Sequence, residues 1–176
     1  MASFVEEPDY IFVIKIIAAI EPTINDLIAL GMAQPTGGLD GRTTKEMFGP
    51  VAEFATKLPL GGGTGRLELA LRLGMISGDD VKFAVAIGSI RNRYAHNIRN
   101  SARTVKEMYL EAAKDDANFG LKLTYGILSP EEDIPAGLLK LFIGWAFLEF
   151  LDNAERRHLP TGGLFGLLGV GERSAH

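Results

Sequence analysis

An all-α fold, a bundle of about five to seven helices, is what this sequence predicts, and three observations predict it. Apolar residues recur at spacings of three and four along most of the chain. Residues that start and stop helices bracket those stretches. No stretch reads as a sheet.

The first helix is expected over about Asp9 to Leu30, with Ile11, Ile14 and Ala18, then Ile24, Leu27 and Ile28, as its apolar rows, and with Pro22 as a kink or split. Gln34 to Gly41 is a loop by composition. A second helical piece is expected around Thr44 to Thr56, capped by Thr43 or Thr44. Leu58-Pro59-Leu60-Gly61-Gly62-Gly63-Thr64-Gly65 then precedes an amphipathic run, Arg66 to Leu73, that Gly74 should terminate. A glycine-rich loop before a helix raises a phosphate-loop reading. This one lacks the Gly-Lys-Ser/Thr ending and follows no strand, so a turn setting two helices against each other is the expectation.

Ser77-Gly78-Asp79-Asp80 has the form of a capping box and should start a helix reaching about Ala113. Ser129-Pro130-Glu131-Glu132 is a further helix start. Pro135 interrupts it, so a long last helix should run from there to about Arg157. Residues 1–158 are thus expected as one helical domain, and 159–176 as a glycine-rich C-terminal tail that cannot be a domain by itself.

Composition narrows the function. With 176 residues, 47% apolar and 23% charged, the chain can bury a real core. The absence of cysteine excludes disulfides, thiolate metal sites and a cysteine nucleophile, and no metal or cofactor is expected. Acidic Glu6 and Glu7 stand where a secretory signal would carry basic residues, so the expected location is cytoplasmic. Tyr10 to Ile20 is apolar but too short to span a membrane, and Ile134 to Leu151 contains Lys140 and Glu149, so a buried helix is expected there.

The net charge of −4 argues against indiscriminate nucleic-acid coating. It hides an asymmetry. Val81 to Lys106 holds six basic residues and no acidic one, leaving 12 of the 18 basic residues against all 22 acidic ones elsewhere. A local anion site, with phosphate the obvious anion, follows.

At about 100° per residue, Phe83, Ile87, Ile90, Tyr94 and Ile98 form the core stripe of the basic helix, flanked by Ala84, Gly88, Ala95 and Arg91. On the same uninterrupted helix, Asn92, His96, Arg99 and Arg103 fall nearly opposite that stripe. Histidine can move a proton near neutral pH, and arginine grips phosphate oxygens with a planar fork. From the stripes alone, the plainer reading is a solvated face with ordinary surface arginines.

Arg91-Asn92-Arg93-Tyr94-Ala95-His96 resembles the Arg-polar-x-x-x-His signature of HEPN domains. Leu58-Pro59-Leu60-Gly61, Arg66, Leu69-Ala70-Leu71, Leu73 to Ser77 and Ile87 to Asn92 resemble the mannitol operon repressor branch of that superfamily, over roughly Leu58 to Asn97. The resemblance implies an HEPN-like helical bundle that commonly dimerises, with metal-independent RNA cleavage at the dimer cleft in catalytic members. It would make His96 the proton-transfer group, Arg91 the phosphate contact and Asn92 the orienting residue. Independently of the resemblance, Arg93, Arg99 and Arg103 of the basic segment are the expected nucleic-acid contacts. Arg91 and His96 lie about 140° apart on one ideal helix, a difficulty that two crossing subunits would answer. Position 98 is Ile where some toxin-type members carry Tyr.

Two functions follow as expectations: a metal-independent endoribonuclease, as a toxin or defence component with an antitoxin partner, or a non-catalytic transcriptional regulator acting through protein or nucleic acid. A homodimer, RNA as ligand and no membrane are expected with either.

Overall fold

A computed structural model describes residues 6–32, 50, 53–96, 98–128 and 134–157. The fold is all-α, and no strand occurs among the described residues. Its helices are α1 (Asp9–Met32), α2 (Arg66–Arg72), α3 (Gly78–His96), a 3₁₀ turn (Ile98–Ala102), α4 (Val105–Asp115), α5 (Phe119–Leu123) and α6 (Ala136–Arg156). No helix among the described residues is long and apolar enough to cross a membrane. The expected Ser129 helix start and the 159–176 tail lie outside the described residues, as does most of the Thr44–Thr56 piece, of which 53–56 are helical.

One core joins α1, α3, α4 and α6 around Phe12, Ile16, Phe83, Ile87, Met108 and Phe150, all fully buried. On α1 the row Ile24, Leu27 and Ile28 is buried as expected. The expected row Ile11, Ile14 and Ala18 is not: Ile14 and Ala18 face outward, and Phe12, Val13, Ile16, Ile17 and Ile20 face the core. The first half of α1 carries more apolar residues than one face holds, so spacing alone could not choose the row. Pro22 neither splits nor ends α1. It removes the N–H that would reach the Ala18 carbonyl, at a point where the helix looks outward and the loss costs least.

Local chemistry sets the other ends. The loop into α2 is a turn, closed by Gly65 N donating to the Gly62 carbonyl, and by Arg66 N and Leu67 N donating to the carbonyls of Pro59 and Leu60. A Cβ at Gly65 would sit 2.4 Å from the Gly61 carbonyl oxygen. Gly65→Ala is therefore expected to destabilise the protein by roughly 1–3 kcal/mol, as other overpacked sites do, readable as a lower urea midpoint with unchanged slope. Gly74 follows α2 at φ +72°, a conformation that favours glycine.

The capping box at α3 is present. Asp80 N donates to Ser77 Oγ, and Ser77 N donates to Asp80 Oδ2 at 2.6 Å. Asp80 does more than cap, because its other oxygen accepts from the Tyr125 hydroxyl (2.7 Å) and the Asn153 amide (3.2 Å), tying α3 to α6 and to the loop after α5. Burial, then the Asp80 carboxylate, push the Tyr125 phenol far above its ordinary range, so it stays a donor.

Lys140, buried within α6, meets Asp9 Oδ1 at 3.0 Å and the Glu7 carbonyl at 2.7 Å, over the Phe12 ring. Its charge is compensated inside the bundle, as expected of a core helix rather than a membrane span.

The helix expected from Asp80 to Ala113 is broken. α3 ends at His96, and α4 begins at Val105. The Asn100 side chain donates to the Arg93 carbonyl at 2.6 Å, taking one of the acceptors that a helix end exposes. Thr104 and Glu107 then form a reciprocal cap on α4. Asp9 Oδ2 accepts from Val105 N at 2.7 Å, and the Tyr94 hydroxyl donates to the Arg103 carbonyl. The chain therefore turns, and α4 packs back against α3, with Arg93 meeting Glu111 and Asp115. The Thr104 amide and hydroxyl hold the Glu107 carboxyl below its ordinary range. A lowered folded-state pKa gives stability that is present above the ordinary carboxylate range and lost as pH falls through it, so protection of the first α4 amides from hydrogen exchange should weaken as pH falls below about 4.

Candidate functional site: the groove beside α3

A cavity of about 560 Å³ opens between the glycine loop and the outer side of α3. Leu60, Gly61, Gly62 and Leu67 form one wall. Ala84, Val85, Gly88, Ser89, Arg91, Asn92, Arg93 and His96 form the other. The three motif residues Arg91, Asn92 and His96 thus share one groove, with Arg91 half-buried and Asn92 and His96 exposed. Opposite them, Tyr94 and Ile90 fix the helix in the core. A Cβ at Gly88 would meet Ile17 Cδ1 of α1 at 4.0 Å, an ordinary contact. Burial keeps the Tyr94 phenol protonated, so its bond to the Arg103 carbonyl persists.

Glu21 of α1 stands behind Arg91, 3.9 Å from Nη2, and its second oxygen is 3.8 Å from the buried Arg66. Arg66 in turn donates to Asn25 Oδ1 at 3.0 Å. This chain of contacts carries support from α1 and α2 to Arg91. No local pattern announces Glu21, which is 70 positions away in sequence, and the glycine loop, expected as a turn between helices, also walls the groove.

The basic residues do not act as one face. Arg99 sits exposed on the 3₁₀ turn, and Arg103 lies beyond it, so neither continues the helix that carries His96. Arg93 pairs with Glu111 (3.2 Å) and Asp115 (2.9 Å), and Arg103 pairs with Glu111 at 2.9 Å and Glu107 at 3.9 Å. Returning α4 beside α3 brings acidic residues against the basic segment. The signal was readable: Thr104-Val105-Lys106-Glu107 has capping-box form, although apolar spacing runs through it.

Glu111→Gln should therefore raise affinity for single-stranded RNA and steepen its salt dependence by roughly one counterion for each arginine freed to meet a phosphate. Fluorescence anisotropy across a salt series measures this. Asp115 and Glu107 still hold Arg93 and Arg103 in this variant, so an unchanged slope would mean that losing the Glu111 charge alone turns neither arginine to phosphate.

A second cavity, about 520 Å³, lies at the other end of α3 between Asp79, Lys82, Asn118, Lys122 and Tyr125. Lys82 there is paired with Asp79 at 2.8 Å, and Lys122 with Asp116. The α3 groove is the better candidate because histidine, arginine, asparagine and serine converge in it. Among the described residues, no cluster of three or more His, Asp or Glu could hold a metal ion. No family model matches the chain, and no curated protein or solved structure matches it.

Proposed function

We propose that this protein is RNA-directed and HEPN-like, a metal-independent endoribonuclease working at the α3 groove. The observation that carries this reading is the presence of Arg91, Asn92 and His96 in one open cavity. In the proposed step a ribose 2′-hydroxyl attacks the adjacent phosphorus and His96 accepts its proton. The P–O5′ bond breaks, and the imidazolium so formed returns that proton to the departing oxygen. The products are a 2′,3′-cyclic phosphate and a 5′-hydroxyl. Arg91 binds the non-bridging oxygens, where charge builds in the transition state, and Asn92 orients the phosphate or the imidazole.

Incubating purified protein with varied RNAs in EDTA tests the reading. Cleavage should need the 2′-hydroxyl and spare DNA of the same sequence. No cleavage across such a set sinks it. Mixing Arg91→Ala with His96→Ala protein tests the shared cleft, since one composite site regains both groups and activity should return.

The second reading is a non-catalytic regulator of mannitol-repressor type. The pairing of Arg93 and Arg103 with Glu111 favours it, because it leaves fewer cations turned to phosphate. Under this reading the groove binds a protein or nucleic-acid segment without cutting it.

A further inference from the structure

We infer that the α3 groove holds a nucleobase subsite between Gly61 and Gly88, next to the Arg91 and His96 end that takes the phosphate of the same nucleotide. The inference rests on the RNA-directed reading of the groove, but it does not need cleavage. Gly61 belongs to the loop wall and Gly88 to the helix wall of the cavity of about 560 Å³, a volume within the roughly 300–1,000 Å³ of small-molecule sites. The fold requires neither glycine. A Cβ at Gly61 would meet nothing within 4 Å, and one at Gly88 only Ile17 Cδ1, at 4.0 Å. Neither has the positive φ that accounts for Gly62. Gly88 also lies inside a 19-residue helix, where glycine is less favourable than alanine. What the two share is the groove, and their missing side chains widen it from both walls.

The lining selects a flat ring with apolar faces and a polar edge. Leu60, Leu67 and Val85 supply the apolar contacts, and Val85 is 51% exposed at the rim. Ser89 and Asn92 bring a hydroxyl and an amide into the same cavity. Among the described residues, no backbone hydrogen bond takes the Gly61 N–H or its carbonyl. Peptide, hydroxyl and amide groups of this kind match the alternating donors and acceptors on the edge of a base. Along α3, Ala84, Gly88, Asn92 and His96 recur at every fourth residue, so the small positions lead directly into the chemical ones. Gly88 and Arg91 are separated by about 4.5 Å of helix, a span that one ribose bridges between a base and its phosphate. An apolar peptide side chain would satisfy the leucines and leave the amide and the arginine without a partner. A nucleotide engages both ends.

Titrating the full chain with the four 5′-ribonucleoside monophosphates and with ribose 5-phosphate, in EDTA, tests the subsite without any cleavage. Ribose 5-phosphate keeps the sugar and the phosphate but lacks the ring. At least one monophosphate should bind ~10-fold or more tightly than it does. The ring current of the base should shift the methyl resonances of Leu60, Leu67 and Val85, which ribose 5-phosphate should leave in place. Gly61→Leu fills the open space of the loop wall, so it should bring nucleotide affinity down to that of ribose 5-phosphate without lowering the melting temperature. Gly88→Ala should melt about 2–4 °C higher and yet lose part of the preference for the base. Equal affinity for the monophosphates and ribose 5-phosphate overturns the inference, as does a preference that survives both variants. Methyl shifts confined to the cavity at Tyr125 overturn it too. The ribonuclease reading is judged separately: a base preference lost in Gly61→Leu upholds the subsite even if no RNA is cut, and RNA cleavage without any base preference sinks the subsite alone.

Discussion

His96→Ala protein is expected to cleave RNA roughly 10²–10⁴-fold more slowly than wild type, the usual cost of losing general acid–base assistance. The fold should survive, because His96 is exposed at the last position of α3 and Tyr94 and Ile90 carry the packing. Arg91→Ala should be damaging to a comparable degree, since a contact strongest in the transition state is lost. Arg91→Lys should recover only part of that loss, as an ammonium does not reproduce the fork. Its Glu21 contact is long and partly exposed, so loss of that pair should cost little stability. Single-turnover rates on a fluorescent RNA, with thermal melts as the control, separate lost chemistry from lost fold. Equal cleavage by wild type and His96→Ala would remove the ribonuclease reading and leave the regulator.

Asp80→Ala is expected to lower stability by about 3–5 kcal/mol, summing a lost helix cap and buried donors left without an acceptor. Asp80 is 1% exposed and accepts from Ser77 N, Ser77 Oγ, the Tyr125 hydroxyl and the Asn153 amide. Removing the carboxylate strands all four at the point where α3, α6 and the loop after α5 meet. Tyr125→Phe removes one donor and leaves the acceptor with three others, so about 1 kcal/mol is expected. Urea denaturation distinguishes the two, and the alanine variant should also melt on the order of 10 °C lower. A loss below 1 kcal/mol for Asp80→Ala would mean that water replaces the network at little cost.

The sequence by itself determined what depends on neighbours within a few residues. The all-helical class, the Ser77–Asp80 cap, Gly74 after α2, the start of α6 after Pro135 and the Phe83/Ile87/Ile90/Tyr94 stripe were all legible. Each is set by backbone hydrogen bonds and helical period, which act locally. Tertiary structure decided what depends on which surfaces meet. It chose the inner row of α1 where the apolar residues exceeded one face. It ended α3 at His96, where Asp9 of α1 accepts from Val105 N and so holds the start of α4 beside the locally readable Thr104–Glu107 cap. That turn carried Arg99 and Arg103 off the His96 helix and set Glu111 between Arg93 and Arg103. Glu21 likewise reached Arg91 only because α1 packs beside α3. A charge's partners are fixed by distance in space, and spacing along the chain does not encode that distance once the chain turns back.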